Sequence, residues 1–318
     1  MSGLTGPVVV LAGGLSHERD VSLRSGRRIA DALREVGVEV DERDVDSDLV
    51  PALSDDRPAA VFPVVHGATG EDGAIREILE LLGVPYVGSR PASCRLAFDK
   101  PTAKSILGAA GLATPPAVVL PHETFRDLGA AAVLDRIVAR FGLPLVVKPA
   151  RGGSALGVSV VRDPAGLPAA MVGCFSYGDT ALVETYVAGT EVAVGVVDTG
   201  DGPAALPAVE IVPSDEGGYD YAARYTAGQT DFFCPARLSV DTEKAVQEAA
   251  LLAHHALGLR DVSRSDIIVA ETGEVYVLEV NVAPGMTETS TLPMAVQNTH
   301  RAFGDVCRDL VQVAVDRG

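Results

Sequence analysis

The stretch that decides the fold follows an apolar run at residues 145–147 and reads Lys148-Pro149-Ala150-Arg151-Gly152-Gly153-Ser154-Ala155-Leu156-Gly157. The apolar run predicts a buried strand, and the glycines after it allow the backbone to approach phosphate oxygens closely. The order is the reverse of a P-loop, in which the lysine follows the glycines. An ordinary hairpin turn is the alternative. Lys148 at the end of a buried strand favours an anion site, because a buried cation needs an anionic partner.

Lysine is rare in this chain. Four of the 26 basic residues are lysine and the other 22 are arginine. In so arginine-biased a chain a retained lysine can matter as a lysine, although chance can also leave four. The lysines are Lys100, Lys104, Lys148 and Lys244.

Acidic and amide side chains near the C-terminus form a second candidate site. Asp266 lies on one predicted strand, Glu279 and Asn281 lie on the next, and residues 271–274 have the composition of a hairpin turn. Residues two apart on a strand share a face, so three oxygen ligands converge there. The pattern predicts a site for one or two Mg²⁺ ions, with an ordinary polar sheet face as the alternative.

Two positions beside this site suit the stabilisation of a developing negative charge. Gly285 can direct its backbone N–H at an oxyanion, and Arg264 is two residues before Asp266, hence on the same strand face. The alternative for Arg264 is a surface salt bridge.

Two glycine-rich loops follow predicted strands nearer the N-terminus. Residues 13–18 lack the second and third glycines of a dinucleotide fingerprint, so nicotinamide binding is weakly supported. Glu18 can be a functional carboxylate or a first-turn acidic residue that complements the helix dipole. Residues 66–73 are polar enough to line a small-molecule pocket, with a helix-capping loop as the alternative.

Composition excludes several classes of protein. The chain has 318 residues, 47% hydrophobic and 22% charged, as expected for a folded protein of two or three domains. Its net charge of −17 argues against binding to nucleic acid or to an anionic membrane. It has no long apolar run and no signal-peptide pattern at its start, so we expect a cytoplasmic protein.

The alternation of short apolar runs with helical patterns predicts an α/β protein of three segments. Residues 1–95 form an open parallel sheet with helices, 96–183 a small α/β segment with the glycine-rich loop, and 184–318 an α+β segment with longer strands. Strands are predicted, among other places, at 38–40, 60–65, 85–87, 145–148, 204–211, 266–270 and 275–280.

Taken together, these motifs resemble the D-alanine–D-alanine ligase family of the ATP-grasp superfamily. Each is weak alone, but eight in the same order are specific. They are residues 13–23, 66–73, 85–88, 99–100, 148–157, 219–221, 234–235 and 279–287.

The resemblance implies a three-domain ATP-grasp enzyme: a substrate-binding domain at 1–95, a lid at 96–183 and a catalytic domain at 184–318. It also implies ATP and two Mg²⁺ ions, with Mn²⁺ as the alternative metal, small amino-acid substrates and a homodimer. The implied phosphate contacts are Lys100, Lys148 and Arg224, with Glu184 at adenine and Glu191 at ribose. The implied magnesium ligands are Asp266, Glu279 and Asn281.

The amino-acid site is carried over in the same way. The resemblance implies that Glu18, Ser154 and Tyr225 hold the first substrate's ammonium group and that Ser290 binds the second substrate's carboxylate. Arg264 and the Gly285 N–H match the oxyanion stabilisers. The segment 219–230, which includes Gly228, resembles the loop that closes over the acyl phosphate.

Several positions differ from the usual family pattern. Arg224 replaces a lysine, Ala155 replaces the second serine of the glycine-rich loop, and Thr289 and Thr291 flank Ser290 in place of histidine and leucine. The family's leucine shapes the pocket for the second substrate, so Thr291 can admit another acceptor. The interpretations left open are a D-alanyl-D-alanine ligase, a ligase making a different dipeptide in a specialised pathway, a catalytically idle homologue and a nicotinamide-binding oxidoreductase.

Overall fold

The computed structural model describes residue 4 and residues 6–213 and 228–318. The strands are β1 Val8–Leu11, β2 Val40–Arg43, β3 Ala60–Pro63, β4 Ala117–Pro121, β5 Leu145–Pro149, β6 Ser159–Val161, β7 Thr180–Thr185, β8 Gly189–Val197, β9 Ala204–Ala205, β10 Val209–Pro213, β11 Thr230–Phe233, β12 Val262–Ala270 and β13 Val275–Asn281. The helices are α1 Arg19–Glu35, α2 Leu49–Asp55, α3 Ala68–Glu71, α4 Ala74–Leu81, α5 Pro91–Phe98, α6 Lys100–Ala109, α7 His122–Leu128, α8 Ala130–Phe141, α9 Leu167–Phe175, α10 Val240–Ala256, α11 Thr291–Asn298 and α12 Phe303–Asp316. None of these helices is long and apolar enough to cross a bilayer.

The N-terminal sheet is parallel, with strand order β2-β1-β3, as the sequence predicts. Strands β1 and β3 are buried because helices cover both faces: α1 and α12 pack on one, and α2 and α4 on the other. The predicted strand at 38–40 lies instead at 40–43, and the predicted strand at 85–87 contributes only a single bridge from Tyr86 to Val61.

The central sheet is antiparallel, with order β4-β7-β5-β6 and a core of its own. Leu145 and Val147 point from β5 into this core, where they meet Leu167 and Met171 of α9. Strand β7 has no counterpart in the sequence prediction, and residue 183, the predicted segment boundary, lies inside it. The central sheet therefore continues past that boundary.

The C-terminal sheet is antiparallel, with order β11-β10-β8-β12-β13 and β9 paired to β8. The predicted hairpin of two strands around residues 271–274 is confirmed as β12 and β13. The prediction of one strand over 204–211 is wrong, since the chain forms β9 and β10 with a break between them. Pro207 lies in the break and has no N–H to donate to a ladder.

The last helix returns to the N-terminal sheet. Leu310 and Val311 of α12 share a hydrophobic core with Ile29 and Leu33 of α1. The same return brings the loop after β13 to the side of α1, where the Arg28 guanidinium donates a hydrogen bond to the Thr287 carbonyl. Residues far apart in sequence thus meet at the start of α1.

One buried histidine predicts how stability depends on pH. His254 on α10 is 1% exposed, and its Nδ1 lies 2.8 Å from the Ser263 hydroxyl. Burial, followed by the neighbouring His255, lowers the pKa of His254 from 6.5 to about 4. As the pH falls, His254 therefore binds a proton at a higher pH in the unfolded chain than in the folded chain. The stability from this site is present above pH 6.5 and is lost as pH falls toward 4.

Lowering the pH from 7 to 5 is expected to cost about 2 kcal/mol of unfolding free energy through His254. Replacing His254 with glutamine removes the titration and keeps a hydrogen-bonding group near Ser263. Denaturant titrations at both pH values should show a smaller pH dependence in this variant. An unchanged dependence would contradict the assignment.

Candidate active site

A cleft of about 540 Å³ lies between the central and C-terminal sheets. This volume is in the range of small-molecule sites in proteins, about 300–1,000 Å³. Six residues that the sequence analysis assigned to the site line it, from α6 and from strands of both sheets. They are Lys100, Lys148, Glu184, Glu191, Asp266 and Glu279.

A small cavity of about 40 Å³ adjoins the cleft. Asp266 and Glu279 line both spaces, so the two meet at these carboxylates. Eight predicted site residues line the cavity. They are Glu18, Ser154, Arg264, Asp266, Glu279, Asn281, Gly285 and Ser290.

Tyr225, Arg224 and most of the predicted closing segment, residues 219–227, lie outside the described residues. The remaining predicted site residues all line the cleft, the cavity or both.

The hairpin of β12 and β13 places four of these side chains together. Asp266 is directly opposite Glu279, and Arg264 is directly opposite Asn281. The Arg264 guanidinium donates to both oxygens of Asp266, at 2.7 and 2.9 Å. Such a two-pronged contact fixes the orientation of both side chains on β12.

The oxygen ligands of this hairpin fit magnesium. Mg²⁺ commonly binds to one or two protein carboxylates together with phosphate oxygens. Asp266 and Glu279 supply two carboxylates and Asn281 an amide. These ligands therefore suit a magnesium ion that also binds phosphate oxygens.

Glu18 and Ser154 are 136 positions apart in sequence but lie in contact in the fold. The Ser154 hydroxyl donates a hydrogen bond to Glu18 Oε1. Glu18 directly precedes α1, and both residues are buried. Ser154 has a φ of 50°, a left-handed conformation that costs a non-glycine residue about 1–2 kcal/mol. Gly67, with φ 81°, packs so closely that an added Cβ would lie 3.0 Å from Glu18 Oε2. The backbone thus encloses the Glu18 carboxylate.

Two buried residues of the cavity received no role from the sequence. Burial, which has the larger effect, and repulsion by Glu18 raise the pKa of Glu71 to about 8. Burial lowers the pKa of His66 to about 4, and its Nε2 lies 3.2 Å from the Ser25 hydroxyl. The prediction that residues 66–73 line a small pocket is confirmed for His66 and Glu71. This segment is not entirely a loop, however, since it contains the short helix α3.

Three of the four lysines converge at the cleft. The Lys100 ammonium lies 3.4 Å from Glu279 Oε2 and donates to the Gly152 carbonyl at 2.6 Å. The Lys148 ammonium lies 2.6 Å from Glu184 Oε1, and the Lys104 ammonium lies 2.8 Å from Oε2 of the same carboxylate. The rarity of lysine was the only sequence signal for Lys104. The fourth lysine, Lys244, is on the surface.

Comparison with known proteins places this geometry in a family. Residues 106–312 match the family model for the C-terminus of D-Ala–D-Ala ligase, and residues 36–89 match the model for its N-terminus. The chain is 43% identical to the D-alanine–D-alanine ligase of Anaeromyxobacter sp. (strain K), over 99% of both chains. The chain belongs to the D-alanine–D-alanine ligase family. It is also 39% identical to the D-alanine–D-alanine ligase of Geobacter sulfurreducens, over 95% of this chain and 92% of that one.

Solved structures of the D-alanine–D-alanine ligase family agree with the fold. The VanG D-Ala:D-Ser ligase from Enterococcus faecalis superposes with a TM-score of 0.84 at 28% identity, covering 97% of this chain and 99% of that one. The D-alanine–D-alanine ligase from Bacillus anthracis complexed with ATP gives a TM-score of 0.80 at 26% identity, covering 98% of each chain. The mixed α/β fold predicted from the sequence is therefore confirmed.

Proposed function

We propose that this protein is an ATP-dependent ligase that joins two D-alanines into D-alanyl-D-alanine for peptidoglycan precursor synthesis. The observation that carries the proposal is the meeting of the cleft and the cavity at Asp266 and Glu279. ATP in the cleft and an amino acid in the cavity would place a γ-phosphate beside a carboxylate. Family membership and 43% identity over the full chain support this assignment.

In the cleft, Lys100 and Lys148 bind the ATP phosphates, Glu184 receives the adenine amino group and Glu191 binds the ribose. Their buried or partly buried positions on α6, β5, β7 and β8 support these roles, because regular elements hold side chains more rigidly than loops do. Arg224 contributes a further positive charge near the γ-phosphate.

Asp266, Glu279 and Asn281 would hold two Mg²⁺ ions, for which Mn²⁺ is the alternative. When bound, the ions would supply positive charge that offsets the negative charge of the phosphoryl group. The fork from Arg264 keeps Asp266 in place for this role.

In the first step, Glu18, Ser154 and Tyr225 hold the ammonium of the first D-alanine. A carboxylate oxygen of this substrate forms a bond to the γ-phosphorus while the bond from that phosphorus to ADP breaks. The lysines stabilise the negative charge that moves onto ADP. The products of this step are an acyl phosphate and ADP.

In the second step, the amine of the second D-alanine attacks the acyl carbon after losing a proton. The C–N bond forms, the C–O bond to phosphate breaks, and phosphate leaves. Arg264 and the Gly285 N–H stabilise the tetrahedral oxyanion, and Ser290 binds the acceptor carboxylate. The resemblance assigns the exclusion of water, which would hydrolyse the acyl phosphate, to the segment 219–230, of which residues 219–227 lie outside the described residues.

A ligase with a different acceptor is the second candidate, favoured by one observation. Thr291 is buried and lines the cavity together with Thr289. Two hydroxyl groups in so small a cavity suit an acceptor with a polar side chain such as D-serine, the acceptor of the structurally similar VanG enzyme. This candidate keeps the mechanism and changes only the second substrate.

Gly285 supports a prediction about the acceptor. A Cβ added at Gly285 would lie 2.8 Å from the Ser290 hydroxyl oxygen, which also accepts the Thr287 N–H at 2.9 Å. Gly285→Ala is therefore expected to displace Ser290 and lower kcat/KM for the acceptor about 10²-fold. Adding Ser290→Ala removes the clash, so the double variant should be no worse than Ser290→Ala alone. If the losses of kcat/KM in the two single variants add up in the double variant, the proposed coupling between Gly285 and Ser290 is contradicted.

The layout proposed for the family is a substrate-binding domain at 1–95, a lid at 96–183 and a catalytic domain at 184–318. The separate core of the central sheet supports the lid. We also propose a homodimer on the basis of the family, and a cytoplasmic location because ATP is a substrate.

The proposal is tested by ATP- and Mg²⁺-dependent phosphate release across single and paired D- and L-amino acids, with mass analysis of the products. Turnover with D-alanine alone that yields the dipeptide supports the first candidate. Turnover only with a second, different amino acid supports the second candidate and assigns the change to Thr291. An absence of turnover with every pair would show a catalytically idle homologue and overturn both.

A further inference from the structure

Lys104 lies behind the cleft and not in its wall. It is four residues after Lys100 on α6, so the two lysines share one face of the helix. Lys100 lines the cleft and Lys104 does not. The Lys104 ammonium contacts the lining of the cleft through Glu184, whose Oε2 lies 2.8 Å away.

Glu184 is shared between two ammonium groups. Lys148 lies 2.6 Å from Oε1 and Lys104 2.8 Å from Oε2, so each carboxylate oxygen has its own cation. The side chains of Lys104, Lys148 and Glu184 are 10%, 7% and 3% exposed. Little water screens this cluster, so its charges interact strongly.

The charge of the cluster depends on Lys104. Glu184 and Lys148 alone form a neutral pair, and Lys104 adds one positive charge to it. The carboxylates of Glu279 and Asp266 also act on Lys148. Burial alone would raise the pKa of Glu184, but the two ammonium groups outweigh it and hold this pKa below its ordinary value. Glu184 therefore stays an ionised acceptor.

We propose that Lys104 is a positioning residue for nucleotide recognition: it holds Glu184 ionised and oriented toward the adenine amino group and leaves the charge of Lys148 available for the phosphates. This inference rests on the proposed role of Glu184 at adenine. Lys104 acts through another side chain and touches no substrate. Its loss should therefore alter nucleotide selectivity more than the chemical step.

Selectivity separates this role from a merely structural ion pair. Inosine triphosphate has a carbonyl oxygen where ATP has its 6-amino group, so an ionised Glu184 accepts from ATP and repels the analogue. Loss of a hydrogen bond to a charged group lowers binding by roughly 10- to 100-fold. A structural defect would instead weaken the binding of both nucleotides equally.

The experiment uses the full-length protein and compares ATP with inosine triphosphate. Kd values are measured by calorimetry in Mg²⁺, and kcat and KM are measured where turnover occurs. Lys104→Met should weaken ATP binding about tenfold and reduce the ATP preference by a similar factor, with kcat changed less than about threefold. Lys104→Arg keeps the charge and should retain most of the preference. Lys244→Met, at the exposed lysine of α10, is the matched control and should change nothing.

An unchanged ATP preference in a folded Lys104→Met protein would overturn the inference. If that variant fails to fold, Lys104→Gln provides the same comparison. In a Glu184→Ala background, adding Lys104→Met should cause no further loss of preference, and a further loss would show that Lys104 acts by another route. Absence of ligation by the wild-type protein would count against the proposed function alone, because the calorimetric ratio needs no turnover.

Discussion

Replacing Glu279 with glutamine is expected to lower kcat about 10³-fold and to raise the Mg²⁺ concentration needed for half-maximal rate. Glu279 lies opposite Asp266 on the hairpin and 3.4 Å from the Lys100 ammonium, where the cleft and the cavity meet. Glutamine keeps the shape of the side chain and removes the charge that would hold a divalent ion in the proposed site. Metal ions supply several kcal/mol of stabilisation to phosphoryl transfer, and each 1.36 kcal/mol is a tenfold change in rate.

Steady-state kinetics over a Mg²⁺ titration measure this effect. Glu271→Gln is the matched control, because Glu271 is exposed at the turn of the same hairpin. It should leave both kcat and the Mg²⁺ requirement unchanged. Near-normal turnover in a folded Glu279→Gln protein would contradict the metal assignment.

Replacing Arg264 with methionine is expected to lower the rate of ligation by about 10²- to 10³-fold, the usual cost of losing one oxyanion donor. Arg264 lines the cavity together with Gly285 and donates to both oxygens of Asp266. Methionine removes the positive charge that is proposed to stabilise the tetrahedral intermediate. Arg264→Lys keeps the charge without the fork and should lose less activity.

The two steps of the reaction respond differently to this change. In ATP labelled with ¹⁸O, exchange of the label between the bridging and nonbridging positions of the β-phosphate reports reversible formation of the acyl phosphate. Dipeptide formation reports both steps. Arg264→Met should reduce dipeptide formation far more than the exchange. Arg24→Met, at an exposed arginine paired with Glu288, is the control. Equal losses in both assays would show that Arg264 serves only to hold Asp266.

Local patterns in the sequence predicted the parts of the site that lie within one element or one hairpin. The spacing of Asp266, Glu279 and Asn281 around a turn was sufficient to place them on one sheet face, since side chains alternate along a strand. The register that sets Asp266 against Glu279 confirms this placement. The parallel N-terminal sheet was predictable from another local signal, because β1 and β3 are short apolar runs buried on both faces.

Contacts between distant segments were not predictable. The pairing of Glu184 on β7 with Lys104 on α6 joins residues that are 80 positions apart, and no periodicity in the sequence encodes it. The pKa of Glu71 likewise depends on a contact between distant segments, because repulsion by Glu18 adds to the effect of burial in raising it. The match of Glu18 with Ser154 came from the family resemblance and not from the residue pattern.

The most direct test of the proposed reaction follows the carboxylate oxygens of D-alanine. The protein is supplied with ATP, Mg²⁺ and D-alanine labelled with ¹⁸O in its carboxylate, and the released phosphate is analysed by mass spectrometry. An acyl phosphate route transfers one labelled oxygen to phosphate for each dipeptide formed. Unlabelled phosphate, released without dipeptide, would mean that water attacks ATP directly and would contradict the account.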